Sequence, residues 1–296
     1  MAKVEPYNHN TASYTFELPP GTDSGLSVAS ALVVKAAEEG GCVDDKGKPV
    51  IRPYTPVTAP NVEGKLELLI KRYEGGKMSQ HIHGLKPGQS LAIKGPIPKF
   101  QYKANEFDEV AFIAGGSGIT PMWQVMQHID ANPSDKTKAT LIFSNVTEQD
   151  ILLRERFDDL AKRKPDQFKI VYTLDKPPSG WQGATGYVSQ DLVAKHVPLP
   201  AHGDKIKVFV CGPPGQMKAR TYRRLLLLAA CENGADTASN SVWAKGQPVG
   251  PRRAQGLARR HGLHREAGLQ VLTKHAHALA RDIDHPLSRK GARTQD

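Results

Sequence analysis

Across 296 residues the chain carries 40 Lys and Arg against 30 Asp and Glu, a formal net charge of +10, with three cysteines. That length exceeds one ordinary domain and favours two. Cys42, Cys211 and Cys231, odd in number and without CxxC spacing, argue against a disulfide framework or zinc site and for a reducing compartment.

The opening MAKVEPYNHN has neither a signal nor a transit layout, and no run of about 18 apolar residues follows it to span a bilayer, so the chain as written reads as soluble. The first hundred residues then read as β structure. Short alternating or apolar runs, SYTFEL, KLELLIKRY and SLAIKG, are separated by Gly and Pro turns, the spacing of a small antiparallel barrel or sandwich. Ser27–Glu39 reads equally as part of this pattern or as a single helix.

Two segments of this half point to ligands. In RPYTPV, Pro53 and Pro56 fix φ on either side of Tyr54 and hold an extended segment. It can offer the Arg52 fork to a phosphate, an aromatic face to a flat ring and the Thr55 hydroxyl beside it; it can also be an edge strand protected by prolines. In YEGGKMSQHI, Gly75, Gly76, Lys77 and Ser79 at a helix start make an anion cradle, or a plain turn entering a helix.

After Gln101–Glu106 the rhythm changes to strand and helix in alternation: VAFIA, MWQVMQHI, TLIFSNV, ILLRERFDDLAKR, KIVYTL, SQDLVAK and KVFVC. That order predicts a parallel sheet covered on both faces. The implied divisions are 1–104, 105–230 and a tail over 231–296. AGGSGITPM links a strand to a helix, with Thr120 as expected N-cap and Pro121 in the first helical position. Its glycines let backbone approach a pyrophosphate at a helix N-terminus. Asp175, just past KIVYTL, can accept ribose hydroxyls and repel a 2′-phosphate, or be a solvated loop carboxylate, and Lys176 beside it weakens the discrimination. FVCGPPGQM ends a strand in Cys211 at a glycine–proline turn, where open α/β sheets take ligands; a lone cysteine there is otherwise a small buried residue.

Beyond Ala219 no strand pattern is visible. From Arg220 to Asp296 there are 14 Lys and Arg against 6 Asp and Glu, so this stretch carries most of the net charge. Disorder is the expected state. Nucleic acid is not an expected partner, because the basic footprint is confined to one unpatterned segment.

Taken together, NHNTASYTFELP, IRPYTPV, GGKMSQHI, KGPIPKF, IAGGSGITPM, NVTEQDILLR and VFVCGPPG resemble the flavoprotein pyridine-nucleotide reductases. Within them the likeness is to the NADH–cytochrome b5 reductases in their fungal mitochondrial form, over about Val4 to Ala219. The resemblance implies a two-domain, ferredoxin-reductase-like fold: an antiparallel FAD-binding β-barrel, then a parallel-sheet NADH-binding α/β domain, with FAD in the crevice between. It implies that Arg52 holds the FAD phosphates with Pro53 beside it in the cofactor site, Tyr54 packs on the flavin, Thr55 bonds near its reactive nitrogen and Lys71 lies near flavin and nicotinamide. Gly76, Lys77, Met78 and Ser79 are then the pyrophosphate site, and Thr120 touches the flavin from the second domain. Gly115, Gly116, Gly118, Asp175, Cys211, Gly212 and Pro213 are the implied NADH contacts, with Thr55, Lys71 and Cys211 nearest the chemistry. The implied activity is transfer from NADH through FAD to cytochrome b5 or a similar acidic haem protein, steered by Lys71, Arg72, Lys77, Lys94 and Lys99.

The implied state is a monomer, at the mitochondrial outer membrane or intermembrane space through an anchor this chain lacks. Ferric, quinone and nitrate-reductase modules share these motifs, so the acceptor stays open, as does a catalytically impaired member of the family. After VFVCGPPG the sequence leaves the family pattern, which continues through a helix and a last strand, and takes an Arg-, Ala-, Gly- and His-rich texture such as out-of-frame translation produces.

Overall fold

The computed structural model describes residues 1–197 and 205–213, together with two short strands at 241–244 and 269–271. In chain order the first half contains β1 (Lys3–Asn8), β2 (Thr11–Glu17), β3 (Ser30–Ala36), β4 (Arg52–Tyr54), β5 (Lys65–Lys71), α1 (Lys77–His83) and β6 (Leu91–Pro98). They form two three-stranded antiparallel sheets, β1-β2-β5 and β4-β3-β6. Alternate residues of facing strands make the core between them: Tyr14 and Phe16 from β2, Leu32 and Val34 from β3, Leu66, Leu68 and Ile70 from β5, closed by Met78 and Ile82 of α1. Ser27–Glu39, which reads either way in sequence, holds β3. Its β-branched Val33 and Val34 favour a pleat, and it pairs with β6 along its length and with β4 over Leu32–Val34, which gives its central ladder groups partners on both sides.

The second half contains β7 (Glu109–Gly115), α2 (Ile119–Ala131), β8 (Lys138–Asn145), α3 (Arg154–Arg163), β9 (Phe168–Leu174), β10 (Ala184–Thr185), α4 (Gln190–His196) and β11 (Ile206–Gly212). These five strands are parallel, in the order β10-β9-β8-β7-β11. β7 and β11 are buried at every position, as a strand covered on both faces must be. Val110, Phe112, Ala114, Phe209 and Cys211 pack toward α2 and α3. Ala111, Ile113, Val208 and Val210 pack toward Val193 and Val197 at α4. The first of these cores also takes in Ala29, Ala31, Val57 and Leu69, so the two halves of the molecule share buried apolar surface.

Three local expectations change. Thr120 is not the N-cap of α2: a 3₁₀ turn at Gly116–Gly118 feeds directly into the helix, Gly118 occupies the cap position, and the Thr120 hydroxyl donates back to Ser117 O at 3.3 Å. Ile151, Leu152 and Leu153 do not belong to the helix that follows. All three are buried in the core, and Leu153 has φ 58°, outside helical space. The stretch beyond Ala219, which shows no strand pattern in sequence, contributes β12 (Ser241–Ala244), parallel to β11, and β13 (Leu269–Val271), antiparallel to β12. The remainder of the expected disordered tail lies outside the described residues.

Candidate active site

From β7 the chain moves outward through β8, β9 and β10, then returns to the other side of β7 as β11. Successive connections therefore leave β7 and β11 in opposite directions, which opens a crevice at their carboxyl ends. Gly115–Thr120 closes one side of it and Cys211–Pro213 the other. The two sides touch. A Cβ on Gly118 would meet the Cys211 carbonyl carbon at 2.5 Å and Gly212 N at 2.9 Å, so only glycine fits there. Gly116 is required for a different reason, its φ of +50°. Cys211 is a thiol buried in the core shared by both halves, Gly212 is buried and Pro213 is exposed.

The N-terminal half reaches the same crevice. Tyr73 Oη lies 2.7 Å from Ser117 Oγ in the glycine turn. Trp123 of α2 donates from its indole N–H to Val57 O at 3.2 Å, and the Gln124 side-chain oxygen accepts from Ser30 N at 2.9 Å. Tyr7 Oη accepts from Leu153 N at 2.8 Å, giving that strained residue's N–H a partner. Lys71, at the end of β5, donates to Asp150 Oδ1 at 2.8 Å across the junction.

Around β4, Arg52 is exposed, Pro53 and Tyr54 are half-buried and Thr55 is buried. Burial drives the Tyr54 phenol pKa well above its ordinary value, so the hydroxyl stays protonated. Helix α1 begins at Gly76 with no side-chain cap, which leaves the first N–H groups, those of Lys77, Met78 and Ser79, as donors for an anion. The Ser79 hydroxyl is engaged within the turn, donating to Gly76 O at 2.8 Å and accepting from Tyr73 N at 3.1 Å. Met78 is buried in the core. These two residues thus offer backbone rather than side chain. Lys77 pairs with Asp45 at 2.5 Å. Of the five cations named for steering, Arg72 and Lys94 are exposed and Lys99 half-buried. Lys71 is withdrawn into its pair with Asp150 and is not a surface charge.

At the far end of the crevice Asp175 follows β9. Its backbone N–H donates to Asn145 O at 3.0 Å, while its Oδ1 is buried with no hydrogen-bond partner among the described residues. Burial raises its pKa and Lys176 opposes that. Asn145, ending β8, has both amide atoms buried without partners among the described residues. Orphaned buried polar atoms at adjacent strand ends are a cost unless a polar ligand or water meets them. Beside them stands a residue that sequence reasoning passed over. Tyr187 is 82% exposed, next to Gly186, whose N–H donates to Leu174 O at 2.8 Å. A large aromatic side chain held open to solvent next to a polar pair suits a flat ring. The sequence signal for it was weak, a single Tyr in GATGYVSQ.

Comparison with known proteins places both halves. Residues 1–102 match the family described as oxidoreductase FAD-binding domain, and residues 112–221 the oxidoreductase NAD-binding domain. The chain is 60% identical over 219 residues to NADH-cytochrome b5 reductase 2 of Mycosarcoma maydis, covering 74% of this chain and 62% of that protein. It is 47% identical over 220 residues to the Debaryomyces hansenii protein of the same name, covering 74% of this chain and 71% of that one. The chain thus spans somewhat under two thirds of the length of the Mycosarcoma relative. Among solved structures, the cytochrome b5 reductase domain of Ulva prolifera nitrate reductase superposes with a TM-score of 0.71 at 31% identity, over 81% of this chain and 94% of that one.

Proposed function

The chain belongs to the NADH–cytochrome b5 reductase family, and from that premise we propose that it binds FAD and NADH and passes electrons to a cytochrome b5-type haem protein. The single observation that carries the proposal is the crevice where β7 and β11 part, walled by Gly118 against Cys211, with donors for anions at α1 and unpartnered polar atoms at Asp175 and Asn145. We take residues 1–104 as the FAD unit and 105–230 as the NADH unit.

The residues present fit both groups. For FAD, the Arg52 and Lys77 side chains and the N–H groups of Lys77, Met78 and Ser79 are the donor set for the phosphates, with Gly76 keeping the turn free of a Cβ and Pro53 holding Arg52 extended. Tyr54 supplies an aromatic face, and Thr55 and Thr120 supply hydroxyls from either side. For NADH, Gly115, Gly116 and Gly118 allow close backbone approach, with Cys211, Gly212 and Pro213 opposite. Asp175 accepts from ribose hydroxyls through the oxygen that has no partner among the described residues, and Tyr187 carries the base. When bound, FAD supplies the two-electron chemistry with nicotinamide and the one-electron chemistry with haem. The chain's own contribution is orientation and exclusion of water: hydride transfer itself asks no side chain to move a proton, the proton released as the flavin is reoxidised would pass to solvent, and the half-buried Tyr54 phenol stays protonated throughout the working pH range. Exposed Arg72 and Lys94 supply positive charge for an acidic haem partner.

Among the described residues no helix is long and apolar enough to cross a membrane. We place the protein at the mitochondrial outer membrane or intermembrane space on its likeness to the fungal forms.

The test is reduction of cytochrome b5 by the purified chain with NADH or NADPH as donor. Rapid NADH-supported reduction with little from NADPH is expected. Reduction of ferricyanide alone would move the acceptor elsewhere, and reduction of neither would contradict the reading. Asp175→Ser should narrow the preference for NADH by about tenfold, the equivalent of about 1.4 kcal/mol, by removing the charge that repels a 2′-phosphate. An unchanged ratio of kcat/KM values for the two donors would remove Asp175 from that role.

A further inference from the structure

Asp150 sits where the two halves of the molecule meet, and it is only 5% exposed. Its two oxygens face different structures. Oδ2 accepts from Thr147 N at 3.1 Å and Thr147 Oγ1 at 2.8 Å, closing a capping box over the 3₁₀ turn Glu148–Asp150. Oδ1 faces the N-terminal half, accepting from Lys71 Nζ at 2.8 Å, with Asn10 Nδ2 at 3.4 Å and His9 Nε2 at 3.6 Å. Burial pulls the carboxyl upward in pKa, but the hydrogen bonds from Lys71 and Thr147 together bring it to about 2. It therefore remains ionised at any pH near neutral.

The charge is not needed for the cap. A neutral side-chain oxygen at this position can also accept from Thr147, though less strongly. A buried carboxylate is costly unless it is paired, and the full cation paired with it is Lys71. Lys71 is itself nearly withdrawn from solvent, with its side chain 14% exposed. It lies two residues before Tyr73, which bonds to Ser117 in the glycine turn. Two side chains from one strand end thus tie the N-terminal half to two loops at the carboxyl ends of the parallel strands.

We propose that Asp150 is a positioning residue that holds the Lys71 ammonium at the nicotinamide end of the crevice. The proposal rests on the proposed NADH–flavin function and on the placement of Lys71 near flavin and nicotinamide that the family resemblance implies, and adds to them the group that fixes Lys71 in place. Without the Asp150 charge the ammonium is free to swing into solvent, and the nicotinamide loses a neighbour while the adenosine half of the nucleotide, out at Asp175, loses nothing.

The experiment is an equilibrium titration of the purified full chain with two unreactive ligands, followed by tryptophan fluorescence or calorimetry. Tetrahydro-NAD carries a neutral nicotinamide-like ring; ADP-ribose lacks that ring. Asp150→Asn, which keeps an oxygen for the Thr147 cap, should weaken tetrahydro-NAD about tenfold, the equivalent of about 1.4 kcal/mol, and leave ADP-ribose within about twofold. Lys71→Met should show the same selective loss, and the double variant should bind no more weakly than Lys71→Met alone. Lys71→Met, which leaves the Asp150–Thr147 cap in place, carries the test alone should the asparagine variant fail to fold. Equal weakening of both ligands, additive losses in the double variant, or no loss at all would overturn the positioning role. If the unaltered chain binds neither ligand, the functional reading falls, and this inference with it.

Discussion

Gly118→Ala is expected to cut NADH-dependent turnover by about 100-fold, because misplacing reacting groups by about 1 Å costs that much. The added methyl group has nowhere to go. It would lie 2.5 Å from the carbonyl carbon of Cys211 and 2.9 Å from Gly212 N, with the Cys211 carbonyl oxygen nearer still. Those atoms are backbone of β11, a strand buried along its whole length and hydrogen-bonded to β7 on one side and β12 on the other. Neither wall of the crevice can give way without moving the other. Overpacking of this kind costs roughly 1–3 kcal/mol, and the backbone nature of the contact puts this site at the upper end. Denaturant midpoint and steady-state kinetics measured together would check both effects. Gly116→Ala is the control. It has φ +50°, but a Cβ there would meet only the Tyr73 hydroxyl among the described residues, at an ordinary contact distance of 3.9 Å, so about 1 kcal/mol of strain is expected there. An alanine at 118 with ordinary stability and turnover would show that the glycine turn does not pack on β11 as described.

The second large effect runs the other way: Lys207→Met should stabilise the fold at neutral pH. Lys207 is 1% exposed on β11, on the same face as Phe209. Its ammonium lies 4.9 Å from the centre of the Phe100 ring and 5.8 Å from that of Phe107. Those rings offer some cation–π compensation, yet burial lowers the pKa to about 8 against the opposing charge of Glu106. The sign follows from linkage. Between about 8 and the unfolded value near 10.5 the unfolded chain holds a proton that the folded chain does not, so stability rises with pH across that window. Below about 8 the full penalty applies, roughly 3 kcal/mol from the size of the shift. Methionine keeps the length of the stem and removes the charge. The difference in unfolding free energy between variant and parent should be largest at pH 7 and shrink toward pH 10. Taking the difference matters, because the raised phenols of Tyr14 and Tyr54 also contribute as they titrate at high pH. A variant less stable than the parent at pH 7 would mean that Lys207 has a favourable partner.

What the sequence reveals, and what it conceals, follows from the range of each interaction. β7, β8, β9 and β11 are legible because each is a short run of mostly apolar residues bounded by breakers, a property of neighbours in sequence. The glycine turn after β7 is legible for the same reason. The cap of α2 is not legible because Thr120 and Pro121 make a good local start signal, while the true start is set by the 3₁₀ turn at Gly116–Gly118 packing on β11. The pairing of Lys71, a candidate both for the nicotinamide side and for steering, is not legible in sequence because its partner, Asp150, lies 79 residues away. Likewise Lys207 has the look of a polar strand residue until the Phe100–Phe107 segment folds over it. The N-terminal sheets were legible as a class, but β3 was not, since its residues suit a helix until β4 and β6 pair with it on both sides.

The measurement that bears most directly on the central claim is the visible absorbance spectrum of the purified chain, recorded before and after anaerobic addition of NADH. A yellow protein that bleaches on addition is the predicted result, because it demonstrates the flavin, the NADH site and the transfer between them at once. A colourless protein would contradict the account outright, and a yellow one that NADH leaves unchanged would contradict the assignment of the β7–β11 crevice as a working NADH site.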